Sequence, residues 1–571
     1  MKRVSSLLLV SLVAACTHAP PPAVAPTTLA TPTTPSLTDG VHACDSVLFR
    51  NGAPACNRLF DADTARHRRV SLEVTVVGGL IRRFVRKRSG GSLDPTGDLG
   101  TAATDYDYDG KRARGAVMRD VGGMVVGKTR YEEGGALANY ENALGEPRRL
   151  AGTLATRARL HESPEGFIDG ITYFDEANRK VAGPDGAHEL RRTLNAFGET
   201  LVTRYFDAQG KPQRGNDGWH EQREEYDARG CVTRRAAFGV DGEPTTYGYE
   251  QSVIAYTCDR WGRTTRYEFF DVQGRTTVNS LGVASWTQAF DEHGNPVEDV
   301  DFGLDGQRSM GASDFAVARN RYDDRGRQLS RAYFGPTGIP VMRRSGYSRV
   351  EYRWNDDGRM TEIRYYDDAG RPAHPFHDAR VHGWSYVYDR RGRQVGERTV
   401  GDDGKPTPDR TGVDARAFDY DDANRRIEAR SYRDSRLHDE RDGYARVVLT
   451  PTKDGSPPKR AYFAADGSPV TLLGCKALMI AFDGVKGTVV TVRTRDEAKA
   501  RAEEARRQLL GGARIEDVAK ALDDTHSVEE THMAKGRRFA ALDVALEKTP
   551  VDGISEVVET ENGFFVMQRI P

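Results

Sequence analysis

The chain is short of most features that announce a catalyst. It has no Cys-x-x-Cys pair, so neither a zinc cluster nor a thioredoxin-like site is indicated. It has no phosphate-binding glycine loop, no dinucleotide fingerprint and no Ser/His/Asp arrangement. An excess of one charge is also missing: 83 basic residues face 84 acidic ones. That leaves no basic footprint for nucleic acid and no acidic tail. Apolar residues make up 38% of the chain, fewer than in an average globular domain. At 571 residues it is too long for one ordinary core, so several domains or an array are expected.

Glycine is what the chain has in quantity, and its spacing is regular. One series falls at Gly198, Gly230, Gly262, Gly294, Gly326 and Gly358. A second falls at Gly210, Gly242, Gly274, Gly306, Gly338 and Gly370; both step by 32 residues. The first series carries YDxxGR, as in Tyr322-Asp323-Asp324-Arg325-Gly326-Arg327. The second carries an aromatic pair and then GxP, as in Tyr205 to Pro212. A fixed period of this size marks a repeat architecture whose units cannot bury their own faces. Between turns, Val350, Tyr352 and Trp354 share one parity, which is a strand signal. Asp starts the turn by bonding its own backbone, and Gly supplies the positive φ. Each unit therefore reads as a β-hairpin, with YDxxGR as the tight end and GxP opening into a longer loop.

The predicted fold class is mainly β: an antiparallel hairpin-repeat array, meander or solenoid, plus a small C-terminal α+β domain. The boundaries read 1–16 for a signal peptide and 17–40 for a Pro/Thr-rich linker. They continue with 41–165 for an N-terminal β region of degenerate repeats, 166–470 for the array and 471–571 for the tail. The array resembles the YD (RHS-type) and WG/MORN-like repeat families at motif level.

The start has Lys2 and Arg3, an apolar run, and Leu12-Val13-Ala14-Ala15-Cys16. This resembles a bacterial lipobox, which implies lipidation of Cys16 and anchorage in the cell envelope. In families where Asp after the cysteine retains lipoproteins at the inner membrane, Thr17 there implies the outer membrane, at its periplasmic face. The other reading is a signal peptide cut at Ala15, with Cys16 incidental. An exported chain meets an oxidising compartment. Cys44 and Cys56 are close enough in sequence to close a small loop, and Cys231 and Cys258 are predicted to face each other across adjacent strands. Cys475 is left over.

After Val470 the period turns helical. Thr494-Arg495-Asp496-Glu497 is a capping box, its helix stops at Gly511-Gly512, and a second helix covers Ile515 to Leu522. Ile554 to Val558 and Phe564 to Gln568 read as closing strands, and Leu478 to Phe482 as a short apolar one. This order resembles the parvulin (PpiC-type) peptidyl-prolyl isomerase domain over about Cys475 to Pro571. The resemblance implies rotation of X–Pro bonds with no cofactor, in an apolar pocket. It also implies an acidic catalytic position at Asp524 and pocket residues Phe539 and Leu542. Asp524 reads equally as an Asp ending a helix. The family's two histidines are not matched: Ala477 and Phe565 stand in their places.

Two metal-like clusters carry blander readings. Asp105-x-Asp107-x-Asp109-Gly110 lacks the twelfth ligand of an EF-hand, because Ala116 stands there, and reads as a turn. His374, His377, His382 and Asp378 read as a solvated loop, so no metal site is assigned. Two functions follow as expectations. One is an isomerase or chaperone acting on exported polypeptides. The other is a non-catalytic scaffold that binds protein or glycan. Expected partners are exported polypeptides or envelope proteins and, through the anchor, the membrane.

Overall fold

The computed structural model describes residues 37–570, apart from 97, 248–249, 376–379, 453–457, 484–492 and 524–527. The Cys16 reading therefore lies outside the described residues. Among those described, no helix is long and apolar enough to cross a membrane.

The chain is mainly β. One antiparallel sheet of 30 strands carries the body. Hairpins follow one another at the repeat interval, for example Glu189–Leu194 with Thr200–Phe206, then Glu221–Tyr226 with Val232–Phe238. The same sheet begins upstream of the array. Val70–Val77, Leu80–Arg88, Ala103–Asp109, Arg112–Arg119 and Val125–Glu132 pair in succession. The sheet runs across residue 165 unbroken, because Arg157–Glu162 and Ile168–Phe174 form one hairpin. A boundary at 165/166 would cut its turn. The GxP end is also tighter than a long loop. Phe206 bridges Pro212, and a further turn closes at Gly218, whose amide donates to Gly215 at 3.0 Å.

Each letter of YDxxGR has a physical task. One oxygen of Asp323 accepts the amides of Arg325 and Arg327 at 3.1 and 2.8 Å, and the other takes Nε of Arg327 at 2.6 Å. The Arg327 guanidinium also reaches forward to the Asn355 carbonyl in the next turn, at 2.7 Å. The Tyr322 phenol reaches back to the Pro296 carbonyl of the previous unit, at 3.1 Å. Tyr226, Tyr388 and Tyr420 repeat that backward bond, to Thr200, Met360 and Gln394. Trp354 stands where Tyr is usual, and its indole N–H donates to the Gln328 carbonyl at 2.7 Å. Asn424 replaces Gly in the last such turn and adopts the left-handed φ of 62° that Asn tolerates.

One register position is buried in successive repeats and forms a column along the array. Tyr173, Tyr205, Ala237, Phe269, Asp301, Tyr333, Tyr365 and Thr399 are all buried in it. Neighbouring rings interleave: Tyr205 stacks on Trp219 at 4.5 Å, and Tyr347 meets Tyr365 edge-on at 4.7 Å. Asp301 breaks the column's apolar character.

The N-terminal segment runs along the row of tight turns and touches them in chain order. Asn51 donates its amide to the Gly166 carbonyl, and Arg58 pairs with Glu199 at 2.6 Å and donates to the Ala228 carbonyl. Arg68 donates to the Trp261 carbonyl, while His67 stacks on the Trp261 ring at 4.3 Å. Ser92 donates to the Arg325 carbonyl, Asp120 pairs with Arg359, and the Val125 carbonyl accepts from Asn424. Two cysteine pairs are joined: Cys44 with Cys56, Cα atoms 5.8 Å apart, and Cys231 with Cys258, Cα atoms 6.6 Å apart.

The tail forms its own four-stranded antiparallel sheet. The order is Glu529–Ala534, Leu472–Ile480, Gly563–Ile570, Val558–Thr560. Leu478, Ile480, Phe564 and Val566 pack under the helices Arg495–Leu510 and Ile515–Leu522. Leu473, Cys475, Phe565 and Met567 face the helix Ala540–Lys548. Thr494 and Glu497 complete the predicted capping box. Two predictions shift. The first strand starts at Leu472 rather than Leu478. Residues 554–557 are not a strand, Ile554 making only an isolated bridge to Gln568. The strand Glu529–Ala534 and the helix Ala540–Lys548 were not anticipated.

Candidate functional site

The tail sheet and the helix Ala540–Lys548 enclose a cavity of about 500 Å³, within the range of small-ligand sites. Its apolar wall comes from period-two strand residues. Cys475, Ala477 and Met479 project from one strand, and Phe565 and Met567 from its neighbour. Register brings Ala477 opposite Met567 and Met479 opposite Phe565. Met533 on the edge strand and Leu542 on the helix complete that wall, with Phe539 at the helix N-terminus. Phe539 and Leu542, the two predicted pocket residues, thus line the same cavity. Leu542 is buried, and Phe539 is 37% exposed at its rim.

Ala477 and Phe565, which stand where the parvulin resemblance would place histidine, both line this cavity. Its lining holds no imidazole. Asp524 lies outside the described residues. Its neighbour Asp523 ends the helix Ile515–Leu522, is buried, lines the cavity and accepts the Met479 amide at 2.5 Å. The adjacent pair Asp523-Asp524 was the only sequence signal for it.

The polar side of the cavity is braced by Arg538. It donates to the Leu473 carbonyl at 2.7 Å and the Thr531 hydroxyl at 3.0 Å, and it faces Asp543 at 3.6 Å in a buried ion pair. Thr531 in turn contacts the free thiol of Cys475 at 3.5 Å. Arg538 therefore fixes the edge strand and the floor.

The turn Glu440–Gly443, near the end of the array, closes one side. Asp442 accepts the Ala534 amide at 2.8 Å, and Asp439 pairs with Arg537 at 3.1 Å. Gly443 has φ of 93°, and a Cβ there would sit 2.6 Å from the Ala534 methyl, so the two backbones need glycine to approach. Burial pushes the Asp442 carboxyl up from its usual range, and the Glu440 charge adds to it. A second cleft of about 990 Å³ adjoins, between the array's last strands and the edge strand Glu529–Ala534. The two spaces share Arg441, Thr531 and Met533.

The other sequence candidates do not assemble. His374 bonds Asp402 at 2.9 Å, and His377 and Asp378 lie outside the described residues. Among the described residues, no group of three His, Cys, Asp or Glu side chains could hold a metal. Asp109-Gly110 is the turn of a hairpin.

No family model matches the chain, and no curated protein matches it. Among solved structures it is similar to a Photorhabdus luminescens Tc holotoxin pore bearing a mutant TccC3, at 12% identity and a TM-score of 0.28. That match covers 74% of this chain and 20% of the other. A TcdB2-TccC3-Cdc42 structure is similar at 11% identity and a TM-score of 0.23, over 74% of this chain and 25% of that one. Peptidyl-prolyl isomerase ESS1 from Candida albicans is similar at 16% identity and a TM-score of 0.16. It is matched over 22% of this chain and 93% of its own. The chain thus spans only a fifth to a quarter of the toxin chains.

Proposed function

We propose that the chain is a repeat scaffold whose tail binds extended polypeptide and does not turn it over. One observation carries the reading. Met479, Met533, Leu542, Phe565 and Met567 line one cavity of about 500 Å³, and both positions where the parvulin resemblance calls for histidine, Ala477 and Phe565, are apolar within it. Methionine-rich walls accept varied apolar side chains, because the thioether chain is flexible and polarizable. The adjoining cleft gives the rest of an extended chain a place to lie.

A second reading, proline isomerisation, has one support. The reaction needs an apolar seat for the ring and no cofactor, and the cavity supplies such a seat. Its uncatalysed barrier is about 18–20 kcal/mol. The full chain is assayed for binding and for cis/trans exchange of a fluorescent proline peptide. Binding without acceleration over background is expected. Acceleration that disappears in Leu542→Asp would establish the isomerase instead, and absence of any binding would overturn both readings.

The two cysteine pairs support an oxidising compartment. Lipidation at Cys16 and residence on the envelope belong to the same proposal. Metabolic labelling with a fatty-acid analogue, lost in Cys16→Ser, tests them.

A further inference from the structure

The cavity in the tail is not built by the tail alone. Arg441 lines it, and Arg441 belongs to the turn Glu440–Gly443 near the end of the array. That turn is held firmly from behind. Glu440 accepts from Arg416 at 2.9 Å and from the Ser431 hydroxyl at 2.5 Å. It is held in front by the Asp442–Ala534 and Asp439–Arg537 contacts described above.

Three guanidinium groups line the cavity, and two are committed. Arg537 is paired with Asp439, and Arg538 with Asp543 and the edge-strand carbonyls. Arg441 is exposed, and its guanidinium makes no hydrogen bond or ion pair among the described residues. It also lines the adjoining cleft, so it stands where the two spaces meet. A cation at such a junction is reachable from a chain lying in the cleft with one side chain in the cavity.

We propose that Arg441 is a specificity residue for the bound peptide: it receives a carboxylate side chain flanking the apolar residue that fills the cavity. The ligand class is then an extended peptide with Asp or Glu beside a large apolar residue. The array supplies the charge reading and the tail supplies the apolar seat. This rests on the peptide-binding reading above and goes one step further, to what the peptide must carry.

The test uses the full chain and fluorescein-labelled heptapeptides with a central Leu flanked by Glu, Ala or Lys. Anisotropy should give Glu over Ala by about three- to fivefold, the range of an exposed ion pair, with Lys weakest. Arg441→Ala should erase the order, so that the Glu, Ala and Lys peptides bind alike. Arg441→Lys should retain the order, and Arg441→Glu should invert it. Because Arg441 is exposed, these variants should melt at the wild-type temperature. Equal binding of all three peptides by the wild type would overturn this assignment and leave the peptide-binding reading standing. So would a Glu preference that survives Arg441→Ala. Failure of every peptide to bind would overturn both.

Discussion

Asp120 and Arg359 are 239 residues apart in the chain, and their side chains meet at 2.9 Å. Both are largely buried, at 10% and 11% exposure. Asp120 also accepts the amides of Gly122 and Met124, each at 2.9 Å. The pair fastens the N-terminal segment to the turn at Gly358. Removing one partner strands the other charge away from water. Asp120→Ala should therefore cost about 3 kcal/mol, read as a lowered urea midpoint. A loss of only a few tenths would mean that the contact is an ordinary surface pair.

The backward bond from Tyr322 to the Pro296 carbonyl ties one repeat to the last. Burial raises the Tyr322 pKa, so the phenol stays protonated and remains a donor at neutral pH. Tyr322→Phe keeps the ring and removes only the donor. The expected loss is about 1 kcal/mol. Trp354→Phe, which removes an indole donor in the next unit, should cost a similar amount. If both variants unfold with the wild type, the staple contributes nothing.

Asp301 occupies a column position that Tyr or Phe fills in five other repeats. Burial, and then the charge of Asp299, pushes its carboxyl up from 3.8 to about 7. The folded state then keeps a proton that the unfolded chain has lost between those values. Stability should fall as pH rises from about 4 to about 7 and level off above. Asp301→Asn should flatten that slope and be the more stable form at pH 8. Parallel melting-temperature profiles for the two proteins would refute the assignment.

Gly443 lets its turn lie against Ala534. Valine there would meet both a left-handed φ of 93° and a methyl group 2.6 Å away. Gly443→Val should cost about 1–3 kcal/mol and loosen the tail from the array. Limited proteolysis should then cut near residues 464–471 faster than in the wild type. An unchanged cleavage pattern would show that the docking is not needed to hold the tail.

The hairpins were legible because their signal is local. Asp, Gly and Arg sit within five residues of one another, and the same turn recurs at a fixed interval. The helices Arg495–Leu510 and Ile515–Leu522 were legible for the same reason, through a capping box, a glycine stop and helical spacing. The edge strand Glu529–Ala534 was not. An edge strand has one ladder partner, and Glu529-Glu530-Thr531-His532 shows no apolar alternation. Of the cavity's lining, Phe539 and Leu542 were visible. Arg441 was hidden because its position depends on a contact between two sheets, which no local pattern encodes. The run of N-terminal contacts along the turns was hidden likewise, since each joins residues far apart in the chain.

That run has a consequence for how the molecule can evolve. In an ordinary stack each unit knows only its neighbours, so units are gained or lost freely. Here a strap reaching from Asn51 to Val125 grips the bends at Gly166, Gly262, Gly326 and Asn424 in register. Splicing in one more unit would slide every later bend past its clasp. The strap thus acts as a tape measure that sets the length of the body.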